Sequence, residues 1–81
     1  MGLDHVELVV AVEKRFGVSI SDVEAQQAET PSKLADVVFS KAGNRWTREQ
    51  VWQMMRHIII ETTGQTDFTE DSHFVNDMKL D

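Results

Sequence analysis

Three glycines, Gly17, Gly43 and Gly64, cut the chain into stretches whose apolar residues recur at helical spacing. Glycine is the commonest residue just past a helix, because it takes left-handed backbone without strain. Each of the three follows an apolar-periodic run, and the two later runs open on capping signals. A chain punctuated in this way folds into helices joined by turns, not into a sheet.

Leu3, Val6, Val9, Val10 and Phe16 share a helical face, which Leu8 and Val12 widen. The "VVAV" stretch would also suit a strand, but the charges around it follow the helical period. The spacing predicts a helix over 3–16 that closes at Gly17. "SISDVEAQQA" predicts a short helix, with Ser21 as N-cap and Glu24 three residues on as its capping-box partner. Thr30-Pro31 opens the next helix, with Leu34, Val37, Val38 and Ala42 as its buried face and Gly43 as its end. "RWTREQVW" carries the clearest start signal: Thr47 caps, Gln50 completes a capping box, and Trp46 can pack on Val51. That helix continues through Met54, Met55, Ile58 and Ile59 to about Thr63. The 17 residues after Gly64 are polar and irregular, and predict a long loop anchored by Phe68, Phe74, Val75, Met78 and Leu80. The expected fold is all-α, a four-helix bundle of three long helices and one short, in one domain over 1–81.

Composition narrows the function classes. Fourteen acidic against eight basic residues give a net charge of −6. Such a chain repels phosphate backbones, so nucleic acid is not an expected partner and basic protein surfaces are. There is no cysteine, hence no disulfide framework, thiolate metal site or cysteine nucleophile, and a reducing cytoplasmic setting is expected. The longest apolar run, "LVVAV" at 8–12, is far too short to span a membrane, and no signal peptide is visible. No phosphate-binding glycine loop, nucleophile motif or metal-ligand spacing is present, so no enzyme is expected. His5, His57 and His73 are widely separated and read as surface or capping residues, Ser19 and Ser21 as turn and capping residues, and Ser72 as a loop residue. Asp4, Asp77 and Asp81 read as a solvated acidic cluster, with no metal expected.

"LDHVELVVAVEKRFGVSISDVEA" resembles the second helix and following loop of acyl carrier proteins. "TPSKLADVV" resembles that family's last helix. "VWQMMRHIIIETTG" and "FTEDSHFVNDMKLD" resemble its first helix and first loop, which ends in a Phe-Val-x-Asp-Leu-Gly-x-Asp pattern before the attachment serine. Residues 1–43 thus resemble the second to last helices and residues 46–81 the first helix and loop, in exchanged order. The resemblance implies an acyl-carrier-like bundle circularly permuted at its attachment motif. The other arrangement it allows is a cut across two tandem carrier domains.

The resemblance also implies a site. In the family a serine at a helix start accepts phosphopantetheine, the family cofactor, which holds acyl groups as thioesters. Asp81, Leu3 and Asp4 resemble the residues around that serine, and Gly2 falls in its place. Glycine has no hydroxyl, so no cofactor is expected here. Lys79 stands where the family's loop has glycine, and Lys14 and Arg15 stand where its recognition helix is often acidic. Leu3, Val6, Glu7, Val10 and Glu13 resemble the family's partner-recognition face. The implied partners are carrier-dependent enzymes, the synthases and transferases of fatty-acid or polyketide type. Two readings follow: a module that acts through protein recognition alone, and a carrier whose serine is lost through permutation or a sequence boundary. The connector "AGNRWT" at 42–47 is long enough to turn, so a monomer is expected, with a swapped dimer as the competing state.

Overall fold

The computed structural model describes residues 3–80, and of Leu3 and Asp4 the backbone alone. Four helices follow one another: α1 (Leu3–Phe16), α2 (Asp22–Gln27), α3 (Pro31–Ala42) and α4 (Arg48–Thr63). Among the described residues there is no strand. The fold is the expected all-helical one, with three long helices, one short and a long closing loop.

Each start signal acts as its chemistry requires. Ser21 and Thr47 accept hydrogen bonds from the amides three residues on, while Glu24 and Gln50 reach back to the cap amides. Both capping boxes are complete. Thr30 accepts from the Lys33 amide, with Pro31 at the first position of α3. These bonds satisfy amides that a helix start otherwise leaves unpaired.

The ends follow the glycines. At Gly17 the backbone turns to φ 68°, and its N–H reaches the Glu13 carbonyl at 2.9 Å. Gly43 has φ 67° and ψ −129°, a region essentially closed to any side chain. That residue breaks the chain between α3 and α4, so the two helices form a hairpin instead of one rod. Trp46, expected to pack on Val51, lies edge-on to Phe16, with ring centroids 5.3 Å apart. It thereby ties the hairpin's connector to the end of α1.

α4 packs against both α1 and α3, and α2 packs against α3. The core comprises Leu8, Val12 and Phe16 of α1, Leu34, Ala35 and Val38 of α3, and Val51, Met55 and Ile59 of α4. Val37, expected in this face, is only half-buried.

The buried face of α1 differs from the expected one. His5, Leu8, Val9, Val12 and Phe16 are buried, whereas Val6 and Val10 are 40% and 41% exposed. Helical geometry gives the reason. At about 100° per residue, positions 5, 8, 9, 12 and 16 fall within one stripe, and 6 and 10 lie about a quarter-turn or more away. His5 is thus a buried residue, not a surface one.

The loop after Gly64 is anchored as expected by Phe74, Met78 and Leu80, all buried, and by half-buried Phe68, which meets Trp52 edge-on at 6.5 Å. Val75 departs from the expectation and is 48% exposed.

Candidate recognition face and helix-start site

Two places in this fold bear on function. The first is the outward face of α1. Val6 and Val10 lie one turn apart on it, next to exposed Glu7 and Lys14. Among the described residues Glu7 has no ion-pair partner. Glu13 is different: its carboxylate accepts a 2.9 Å hydrogen bond from the Ile20 amide, bracing the turn between α1 and α2. The backbone of Leu3 and Asp4 belongs to the first turn of α1. Gly2 and Asp81 lie outside the described residues.

The second place is the groove beside the start of α1. It encloses about 230 Å³ and is lined by His5, Gln26, Glu29, His73, Phe74 and Val75. The loop reaches it through backbone bonds. The Phe74 amide donates to the Glu29 carbonyl at 2.8 Å, and the Leu80 amide to the Phe74 carbonyl at 2.8 Å. The Phe74 ring lies 5.2 Å from that of His5. Phe74 of the "FVNDM" stretch is therefore packed against His5 of α1 and tied by its backbone to Glu29.

Histidine 73 organises this end of the loop. Its Nδ1 accepts from the amides of Val75 and Asn76, both at 3.1 Å. That leaves Nε2–H to donate to Glu29, at 2.8 Å. Its own amide donates to Asp77 at 2.7 Å. The hydrogen bond from His73, with Lys33 nearby, holds the Glu29 carboxyl below its ordinary pKa. Asp77, read as part of an acidic cluster, is thus engaged in the loop. Among the described residues no group of histidine and carboxylate side chains is arranged to hold a metal ion. His57 pairs with Glu61 on the exposed side of α4.

Lys79 has φ 61°, the one described non-glycine residue with positive φ. The loop there has the left-handed backbone shape that glycine would favour.

Gly2, Leu3 and Asp4 carry no hydroxyl, and the first serine or threonine in the chain is Ser19, past the end of α1. Ser72 accepts from the Thr69 amide at 2.9 Å inside a turn of the loop.

Sequence reasoning missed the contacts that fasten the loop. Arg48 donates to Asp36 at 2.8 Å, to Glu70 at 3.1 Å and to the Ser32 carbonyl at 3.2 Å. The Ser32 amide in turn donates to the Glu70 carbonyl. No spacing advertises such a cluster, since its members come from two helices and the loop. His5 was findable, because it shares the helical stripe of Leu8 and Val12.

The fold and these contacts define a small four-helix protein whose long loop closes over the start of its first helix. Three curated proteins say where that class leads. "Acyl carrier protein" of Cyanidium caldarium is 35% identical over 43 residues, 53% of this chain and 50% of that protein. "Acyl carrier protein 3, chloroplastic" of Cuphea lanceolata is 37% identical over 43 residues, 53% of this chain and 30% of that one. "Acyl carrier protein" of Thermosynechococcus vestitus is 44% identical over 39 residues, 48% of each chain. The chain is similar to these acyl carrier proteins over about half its length, and it spans half or less of the curated relatives it matches. No family model matches. No solved structure matches either.

Proposed function

We infer that this chain is an acyl-carrier-like recognition module of fatty-acid or polyketide metabolism that binds carrier-dependent enzymes without carrying phosphopantetheine itself. The observation that carries the reading is the exposure of Val6 and Val10 beside Glu7 on α1, a helix whose other large apolar residues among those described are buried. An apolar pair rimmed by charge suits a modest protein interface. Leu3 belongs to the same proposed face. Glu13 serves first as the brace of the Ile20 turn and adds charge at the edge of the face.

Two further observations support the reading. The helix start has no hydroxyl to accept the arm. The match to relatives covers about half of each chain or less, which is what a chain with its two family blocks exchanged gives when compared in linear order. The packing of Phe74 against His5 of α1 is in keeping with that permuted order. The connector from Gly43 to Thr47 turns α4 back onto its own α3, which supports the monomer. Among the described residues no helix is long and apolar enough to cross a membrane.

Binding to a carrier-dependent synthase or transferase, measured at low and moderate salt, tests the proposal. Glu7→Lys is expected to slow association about tenfold at low salt, with a smaller effect as salt rises. Val10→Asp is expected to abolish binding. Unchanged binding in both variants would show that α1 is not the interface.

A further inference from the structure

The groove at the start of α1 holds two histidines that are far apart in sequence, and one of them is enclosed. His5 is 5% exposed, and its Nε2 has no hydrogen-bond partner among the described residues. Phe74 covers it. A neutral imidazole tolerates that setting, but a charged one does not, because burial removes the water that would solvate it.

We propose that residues 73–80 form an acid-released strap, which opens when His5 takes up a proton and so exposes the His5 side of α1.

The charged groups around the groove are few. Glu29, from the turn between α2 and α3, and His73, from the loop, line it with His5. Behind them Lys33 pairs with Glu29 at 3.9 Å, and Asp77 accepts from the His73 amide. Glu29 is bonded to His73 Nε2, and the buried His5 Nε2 has no hydrogen-bond partner among the described residues.

The sign follows from linkage. Burial lowers the pKa of His5 from its ordinary 6.5. With the strap open the ring is solvated and takes its proton near that ordinary value. Above about pH 6.5 both forms are neutral and strap stability does not change with pH. Below it the open form binds the extra proton, so closure weakens by up to about tenfold per pH unit until the enclosed ring also titrates.

Native-state hydrogen exchange followed by NMR tests this on the whole chain. Between about pH 7.5 and about pH 5.5, the protection of the Phe74 and Leu80 amides, corrected for intrinsic exchange, is expected to fall about five- to tenfold. The amides of α4 should keep theirs. The variant His5→Leu removes the enclosed imidazole, and its protection should be flat over this range. Constant protection in the parent chain, a fall shared equally by α4, or a fall that persists in the variant each overturns the proposal. Should that variant fail to fold, the parent's His5 ring signal decides. Movement in step with lost Phe74 protection supports the strap. Ordinary titration with Phe74 still protected refutes it.

Discussion

The α3–α4 hairpin and the segment 65–80 reach the same core by different means. In the hairpin, every structural decision is local. Thr30 and Thr47 cap their own helices, Gly43 breaks the chain between them, and the apolar residues of each helix face inward at helical spacing. In the loop, each anchor depends on a residue far away: Phe74 on Glu29 and His5, Glu70 on Arg48 and Ser32, Phe68 on Trp52. Local signals survive any rearrangement of chain order, whereas long-range ones require the whole bundle to form first. The loop should therefore be the less stable region and the one where function can be regulated.

The strongest way to break this comparison is to remove the loop's main anchor. Phe74 is fully buried, so Phe74→Ala is expected to cost about 3–5 kcal/mol if the loop folds with the bundle. Urea unfolding monitored by circular dichroism measures it. A cost below about 1 kcal/mol would mean that the loop opens independently of the helices.

Next in size is Arg48, whose bonds join α3, α4 and the loop. Arg48→Met should destabilise by about 1–2 kcal/mol, through the lost bonds to Asp36, Glu70 and Ser32. Because the pairs with Asp36 and Glu70 are partly exposed, raising salt should reduce the difference. Thermal unfolding of both chains at two salt concentrations checks it.

The hairpin's local signals predict a smaller effect. Thr47→Ala removes one capping box and should cost about 1 kcal/mol. Hydrogen exchange would show the loss in the first turn of α4, with the loop amides unaffected.

Lys79 sharpens the comparison from the other side, because relief should stabilise. Its φ of 61° is unfavourable for a side chain, and Lys79→Gly should raise stability by about 0.5–1 kcal/mol. An unchanged or lower melting temperature would show that the Lys79 bond to the Asn76 carbonyl outweighs the backbone strain. Smallest of all is Val10→Ser, on the exposed face of α1, expected within about 0.5 kcal/mol of the parent chain.

How much was legible follows the same division. The starts of α2, α3 and α4 could be read from capping residues and the ends of α1, α3 and α4 from glycines, because those signals act within about four residues of where they stand. The inward face of α1 was harder, since its run of valines fits several helical stripes and only packing against α4 selects one. Burial of His5 overrode its polarity for that reason. The groove of His5, Glu29 and His73 and the Arg48 cluster had no linear signature. They exist because a loop folds back across α1, α2 and α3, and spacing along a chain carries no record of that.

The central proposal is that this carrier-like bundle does not take up phosphopantetheine. Incubation of the chain with coenzyme A and a phosphopantetheinyl transferase, followed by mass spectrometry of the intact protein, tests it most directly. The account predicts an unchanged mass, with an unrelated intact carrier protein loaded in the same reaction. A gain equal to one phosphopantetheine, mapped to any serine of the chain, would contradict it.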